Sequence, residues 1–89
     1  MKARAAYRLI VSRGGHGPAW LAGPGRVDHV EIVDVHSGEV VLFWDLQATH
    51  ARRLVRALRE DLGRLDAGEF IAAWRDAEAR SEDRPPGSG

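Results

Sequence analysis

Two runs constrain this chain more than anything else in it: VDHVEIVDV, residues 27–35, and EVVLFWD, residues 39–45, with only His36, Ser37 and Gly38 between them. Both are rich in the β-branched and aromatic residues that fit a pleated, half-buried surface. A connection that short joins two strands only as an antiparallel hairpin. A turn centred on Ser37 and Gly38 pairs Val35 with Val40. In that register one face carries Val33, Val35, Val40, Leu42 and Trp44, and the other carries Val30, Ile32, Val41 and Phe43. Both faces are then apolar, unlike a hairpin with one side in water, and each requires a cover.

The rest of the chain supplies candidate covers. AYRLIV, residues 6–11, reads as another strand with Tyr7, Leu9 and Val11 on one face. The stretch RGGHGPAWLAGPGR, residues 13–26, is a long glycine-proline connection in which AWLA offers a short fourth strand. From Ala48 to Leu65 the apolar positions Ala51, Leu54, Val55, Leu58, Leu62 and Leu65 recur at helical spacing. Asp66 followed by Glu69 fits a capping box, which starts a second helix near Ala67 with Phe70, Ile71, Trp74 and Ala77 as its apolar stripe. The expected fold is α+β in the order β-β-β-α-α: a small antiparallel three-stranded sheet and two C-terminal helices. Residues 1–80 form one domain, and SEDRPPGSG, residues 81–89, lacks apolar content and is expected to be a disordered tail.

Eighty-nine residues leave no room for a second domain, and a core this small leaves a thin stability margin. There is no cysteine, which excludes a disulfide framework, a thiolate nucleophile and a zinc ribbon. Self-association is the remaining common way to add burial, so a homodimer through the sheet or the C-terminal helix is expected. The longest apolar runs, LIV and VVLFW, fall far short of the ~20 residues that span a bilayer. The opening MKARAAYRLIVS lacks the apolar length and cleavage site of a signal peptide. The expectation is a cytoplasmic protein without membrane contact. Twelve arginines against one lysine, with no asparagine, favour GC-rich codons and a high-GC bacterial source such as an actinomycete. That bias weakens any argument from arginine alone.

Charge comes in blocks although the net charge is zero. Residues 1–26 hold Lys2, Arg4, Arg8, Arg13 and Arg26 with no acid, and residues 27–50 hold Asp28, Glu31, Asp34, Glu39 and Asp45 with no lysine or arginine. Neighbouring strands bring these two blocks together, so mutual pairing is the plainer reading of them.

Few groupings of residues carry chemistry. The glycine-proline loop has neither phosphate-loop pattern and precedes a strand rather than a helix. A connection pinned to the core by Trp20 accounts for it; a ligand there would meet His16, Trp20 and His29. His29 and Glu31 share a strand face, but a metal needs a third ligand, and His36 and His50 stand at no ligand spacing. No serine lies in a nucleophile elbow. The expectation is no enzyme, no metal and no cofactor. Asp28, Asp34 and Asp45 fall on the second hairpin face, and Asp45 is also placed to cap the following helix.

The sharper signal is Arg52, Arg53, Arg56 and Arg59, which fall within an arc of about 120° on the helix face opposite the leucines. Guanidiniums so arrayed can grip phosphates. Glu60 lies in the same arc, and no aromatic residue is interleaved for stacking on bases.

The hairpin HVEIVDVHSGEVVLF running into this arginine-rich helix resembles small actinobacterial proteins of unknown function, some encoded beside helix-turn-helix regulators. The resemblance implies a regulatory accessory protein and supplies no site residues. The chain is therefore expected to be a non-enzymatic interaction module, homodimeric, with Phe43, Trp44, Phe70 and Trp74 as anchors for an unidentified protein partner. The alternative is a nucleic-acid-binding accessory that uses Arg52, Arg53, Arg56 and Arg59.

Overall fold

The computed structural model describes residues 1–13 and 27–82. A short helix α1 (Ala3–Ala6) leads into β1 (Tyr7–Arg13), followed by β2 (Val27–Asp34), β3 (Val40–Gln47), α2 (Ala48–Arg64) and α3 (Ala67–Glu82). The strands form one antiparallel sheet in the order β1-β2-β3. The class is α+β, and the order expected from sequence holds apart from α1, whose single turn is too short to leave a periodic signal. His16 and Trp20, with the short strand proposed for AWLA, lie outside the described residues.

The hairpin forms, but two residues out of the expected register at the turn and one residue out beyond a bulge. Asp34 accepts backbone N–H bonds from His36 and Ser37 at 2.7 and 3.1 Å, which turns the chain before Val35 rather than after it. The loop is closed by the Gly38 N–H on the Asp34 carbonyl and the Asp34 N–H on the Glu39 carbonyl, at 2.8 and 2.9 Å. Gly38 occupies φ +75°, open to glycine without strain. Val33 therefore faces Val40, and a shift between Ile32 and Val33 leaves Val41 without an opposite number, so that Ile32 pairs with Leu42 and Val30 with Trp44. A slip of one residue exchanges the faces of one strand relative to the other. Val30, Ile32, Leu42 and Trp44 are buried together on one face, whereas His29, Glu31, Phe43 and Asp45 share the open one. The larger apolar side chains gather on one face, while Ile10, Val27 and Phe43 stay exposed on the other. Asp28 lies on the covered face and Asp45 on the open one, not together as expected.

The helices complete the core. Ala51, Leu58 and Leu62 of α2 are buried, with Leu54, Val55 and Leu65 packed beside them. Gln47 precedes the helix without a side-chain cap, and Asp45, expected to help cap it, bonds to His29 instead. From α3, Phe70 is fully buried, its ring 5.7 Å from Tyr7, and Trp74 meets Trp44 edge-on at 5.9 Å. Such aromatic pairs contribute about 0.5–1.5 kcal/mol beyond the area they bury. Main-chain bonds hold the start of α3. The Ala3 N–H bonds to the Leu65 carbonyl at 3.1 Å and the Ala67 N–H to the Met1 carbonyl at 2.9 Å, bridging Lys2 to Asp66. Among the described residues no helix is long and apolar enough to cross a membrane.

Candidate functional site

Each residue of an α-helix turns about 100° from the last, so the arginines of α2 do not all share a direction. With Ala51 and Leu58 against the sheet, Arg52, Arg56 and Arg59 fall on the flank next to β1. Arg53 lies about 100° beyond Arg52, away from the sheet. The flank and the end of the sheet enclose a cleft of about 670 Å³ lined by Val11 and Arg13 of β1, Asp28 of β2, and Ala51, Arg52, Val55, Arg56 and Arg59 of α2. Register places Arg13 opposite Asp28, which is only 5% exposed.

Among the described residues the cleft has an apolar lining from Val11, Ala51 and Val55, and four guanidiniums against one carboxylate. Among the described residues the ion pairs are His29 with Asp45, Arg64 with Asp61 and Arg80 with Asp76. None takes up Arg13, Arg52, Arg56 or Arg59. Glu60, in the arginine arc on sequence grounds, does not line the cleft. The arrangement can attract and orient an anion. Among the described residues that line it there is no histidine or hydroxyl for proton transfer or nucleophilic attack.

The other residues singled out from sequence separate. Trp44 and Phe70 are core residues, 6% and 0% exposed, and cannot touch a partner without unfolding their surroundings. Trp74 is half-buried between Trp44, Phe70 and α2, its indole N–H donating to Asp61 at 3.1 Å. Of the four proposed anchors Phe43 is exposed, with His29 stacked on it at 5.7 Å. His29 bonds through Nδ1 to Asp45, and no group of three potential metal ligands occurs among the described residues. Sequence reasoning let the basic N-terminal block extend the α2 arginines but did not single out Arg13 within it, because only the fold brings β1 beside that helix. It also missed Asp61, which reads as a solvated acid and proves to tie α2 to α3.

No protein-family model matches the chain, and comparison with the curated proteins and with the solved structures gives no match.

Proposed function

We propose that this chain is a small, non-enzymatic, regulatory binding module that holds nucleic acid by its phosphates in the cleft between β1 and α2. One observation carries the reading: four arginines from two separate elements line one cleft, and none of them belongs to the ion pairs His29–Asp45, Arg64–Asp61 and Arg80–Asp76. A codon bias toward arginine explains how many there are. It does not explain why they gather on one cleft, while Arg64 and Arg80 on other faces bond to carboxylates of their own helices. The described residues of the lining include no aromatic, which argues for backbone contact rather than stacking on bases, and so for weak dependence on sequence. A cytoplasmic location suits such a partner.

The test is fluorescence anisotropy of a labelled duplex and a labelled single strand over a series of salt concentrations. About three or four neutralised phosphates give a slope of log K against log salt near −3 for duplex. The Arg52→Ala/Arg56→Ala double variant is expected to weaken binding and to flatten that slope by roughly two. Binding that ignores salt, or that survives the double substitution unchanged, sinks the reading.

Exposed Phe43 supports a second reading, a protein partner seated on the open sheet face. Phe43→Ser is then the variant that loses the partner, while the cleft's anion binding stays intact.

A further inference from the structure

The two outer edges of the sheet are treated differently by the fold. Along β3 the outward Phe43 N–H donates to the Glu78 carboxylate of α3 at 2.7 Å, so α3 shields that edge. Along β1 the Tyr7 N–H is taken by the Ala3 carbonyl of α1. Beyond Tyr7 no main-chain bond among the described residues covers the outer edge. Midway along it Ile10 and Val11 are 39% and 38% exposed.

The phase of β1 shows which groups that edge offers. The Val35 N–H donates to the Ala6 carbonyl at 2.9 Å, which makes Ala6 and Val35 a hydrogen-bonded pair. In an antiparallel ladder such pairs alternate with non-bonded ones. Arg8, Ile10 and Ser12 therefore turn their main-chain groups toward β2, while Leu9, Val11 and Arg13 turn theirs outward, with the Tyr7 carbonyl.

We propose that β1 pairs antiparallel with β1 of a second copy about a two-fold axis at Ile10, joining the two sheets into one. That register uses the whole strand and matches itself. Leu9 faces Val11 of the second copy, both with outward N–H and C=O groups, and Tyr7 faces Arg13, whose N–H reaches the Tyr7 carbonyl. Arg8 faces Ser12, and Ile10 faces its own counterpart on the axis. No like charges stand opposite, and the exposed Ile10 and Val11 are covered. The axis is normal to the sheet, so both α2 helices lie on the same side and the arginine clefts meet across the junction. Their mutual repulsion is screened by salt, so the association tightens as ionic strength rises, unlike a surface held by exposed ion pairs.

The pairing itself does not depend on what the cleft binds. Sedimentation equilibrium of the full chain, over a wide concentration range at low and high salt, tests it with two variants. Val11→Pro removes an outward donor and leaves the bonds to β2 in place. Ile10→Lys sets two like charges against each other on the axis, outside the core. The parent chain is expected to reach the mass of a dimer, at lower concentration in high salt. Each variant is expected to dimerise at least about tenfold more weakly with the parent's circular dichroism spectrum. If Val11→Pro fails to fold, Ile10→Lys decides alone. A parent that stays monomeric throughout overturns the proposal, as does a dimer that survives in every folded variant. A parent chain that stays monomeric and still binds the oligonucleotide overturns the pairing and leaves the cleft's function standing, and a parent dimer that ignores it does the reverse.

Discussion

The two flanks of α2 have the same backbone and opposite fates. On the flank toward α3, Asp61 accepts the Trp74 indole N–H at 3.1 Å and an Arg64 guanidinium N–H at 2.9 Å, and its side chain is 22% exposed. On the flank toward β1, Arg52, Arg56 and Arg59 line an open cleft and belong to none of the ion pairs His29–Asp45, Arg64–Asp61 and Arg80–Asp76. Polar groups on the first flank are occupied by folding, so they carry stability and have nothing left to offer a ligand. Those on the second contribute little to stability, and their charge is available to a partner. Substitutions should therefore separate by flank, stability responding to one and anion binding to the other.

The largest effect is expected from Trp74→Ala. It removes the edge-on contact with Trp44, the contact with Phe70 and the bond to Asp61. The cost is about 3 kcal/mol, within the range for large aromatic residues replaced by alanine. For a domain of this size that lowers Tm by roughly 10–20 °C in a thermal melt. The proposed anion binding, measured where the variant is still folded, should keep its salt slope. Asp61→Ala comes next. It leaves the Trp74 indole N–H, in a half-buried position, without its acceptor, and denaturant titration should show a loss of about 1–2 kcal/mol. If either substitution weakens oligonucleotide binding as much as Arg56→Ala does, the separation between flanks fails.

How far sequence reached follows the range of the interactions involved. The helical period from Ala51 to Leu65 is set by neighbours three and four residues apart, and α2 appears where that spacing puts it. The hairpin was equally legible as an element, yet its register was not. Whether Val30 lies beside Phe43 or beside Trp44 turns on one unpaired residue at Val41, since the earlier turn set by the Asp34 carboxylate moves the register by two and leaves the faces as they were. A slip of one position then assigned Asp28 and Asp45 to the same face and made Trp44 look like a surface anchor. Phe70 shows a different limit, since a helical stripe gives an apolar side but not what covers it. The arginine array was visible as a pattern. Its division into Arg52, Arg56 and Arg59 beside β1 and Arg53 away from it needed the helix docked on the sheet, as did the addition of Arg13.

That division supports the smallest and most discriminating prediction. By spacing alone Arg53 belongs with the other three, and Arg53→Ala removes the same charge from the same helix as Arg52→Ala. Arg53 is exposed and does not line the cleft. Its loss is expected to change stability by less than about 0.5 kcal/mol and to leave Kd for the oligonucleotide within about twofold. Arg52→Ala should flatten the salt slope by about 0.9, the share of one phosphate contact. Two substitutions of equal charge and neighbouring position thus separate contact from field. If both weaken binding equally, the anion responds to the helix's summed charge at a distance, and a diffuse electrostatic attraction replaces the cleft as its account. If only Arg52 matters, the anion sits where the guanidiniums converge, and the direction a side chain takes from the helix axis outweighs the charge it carries.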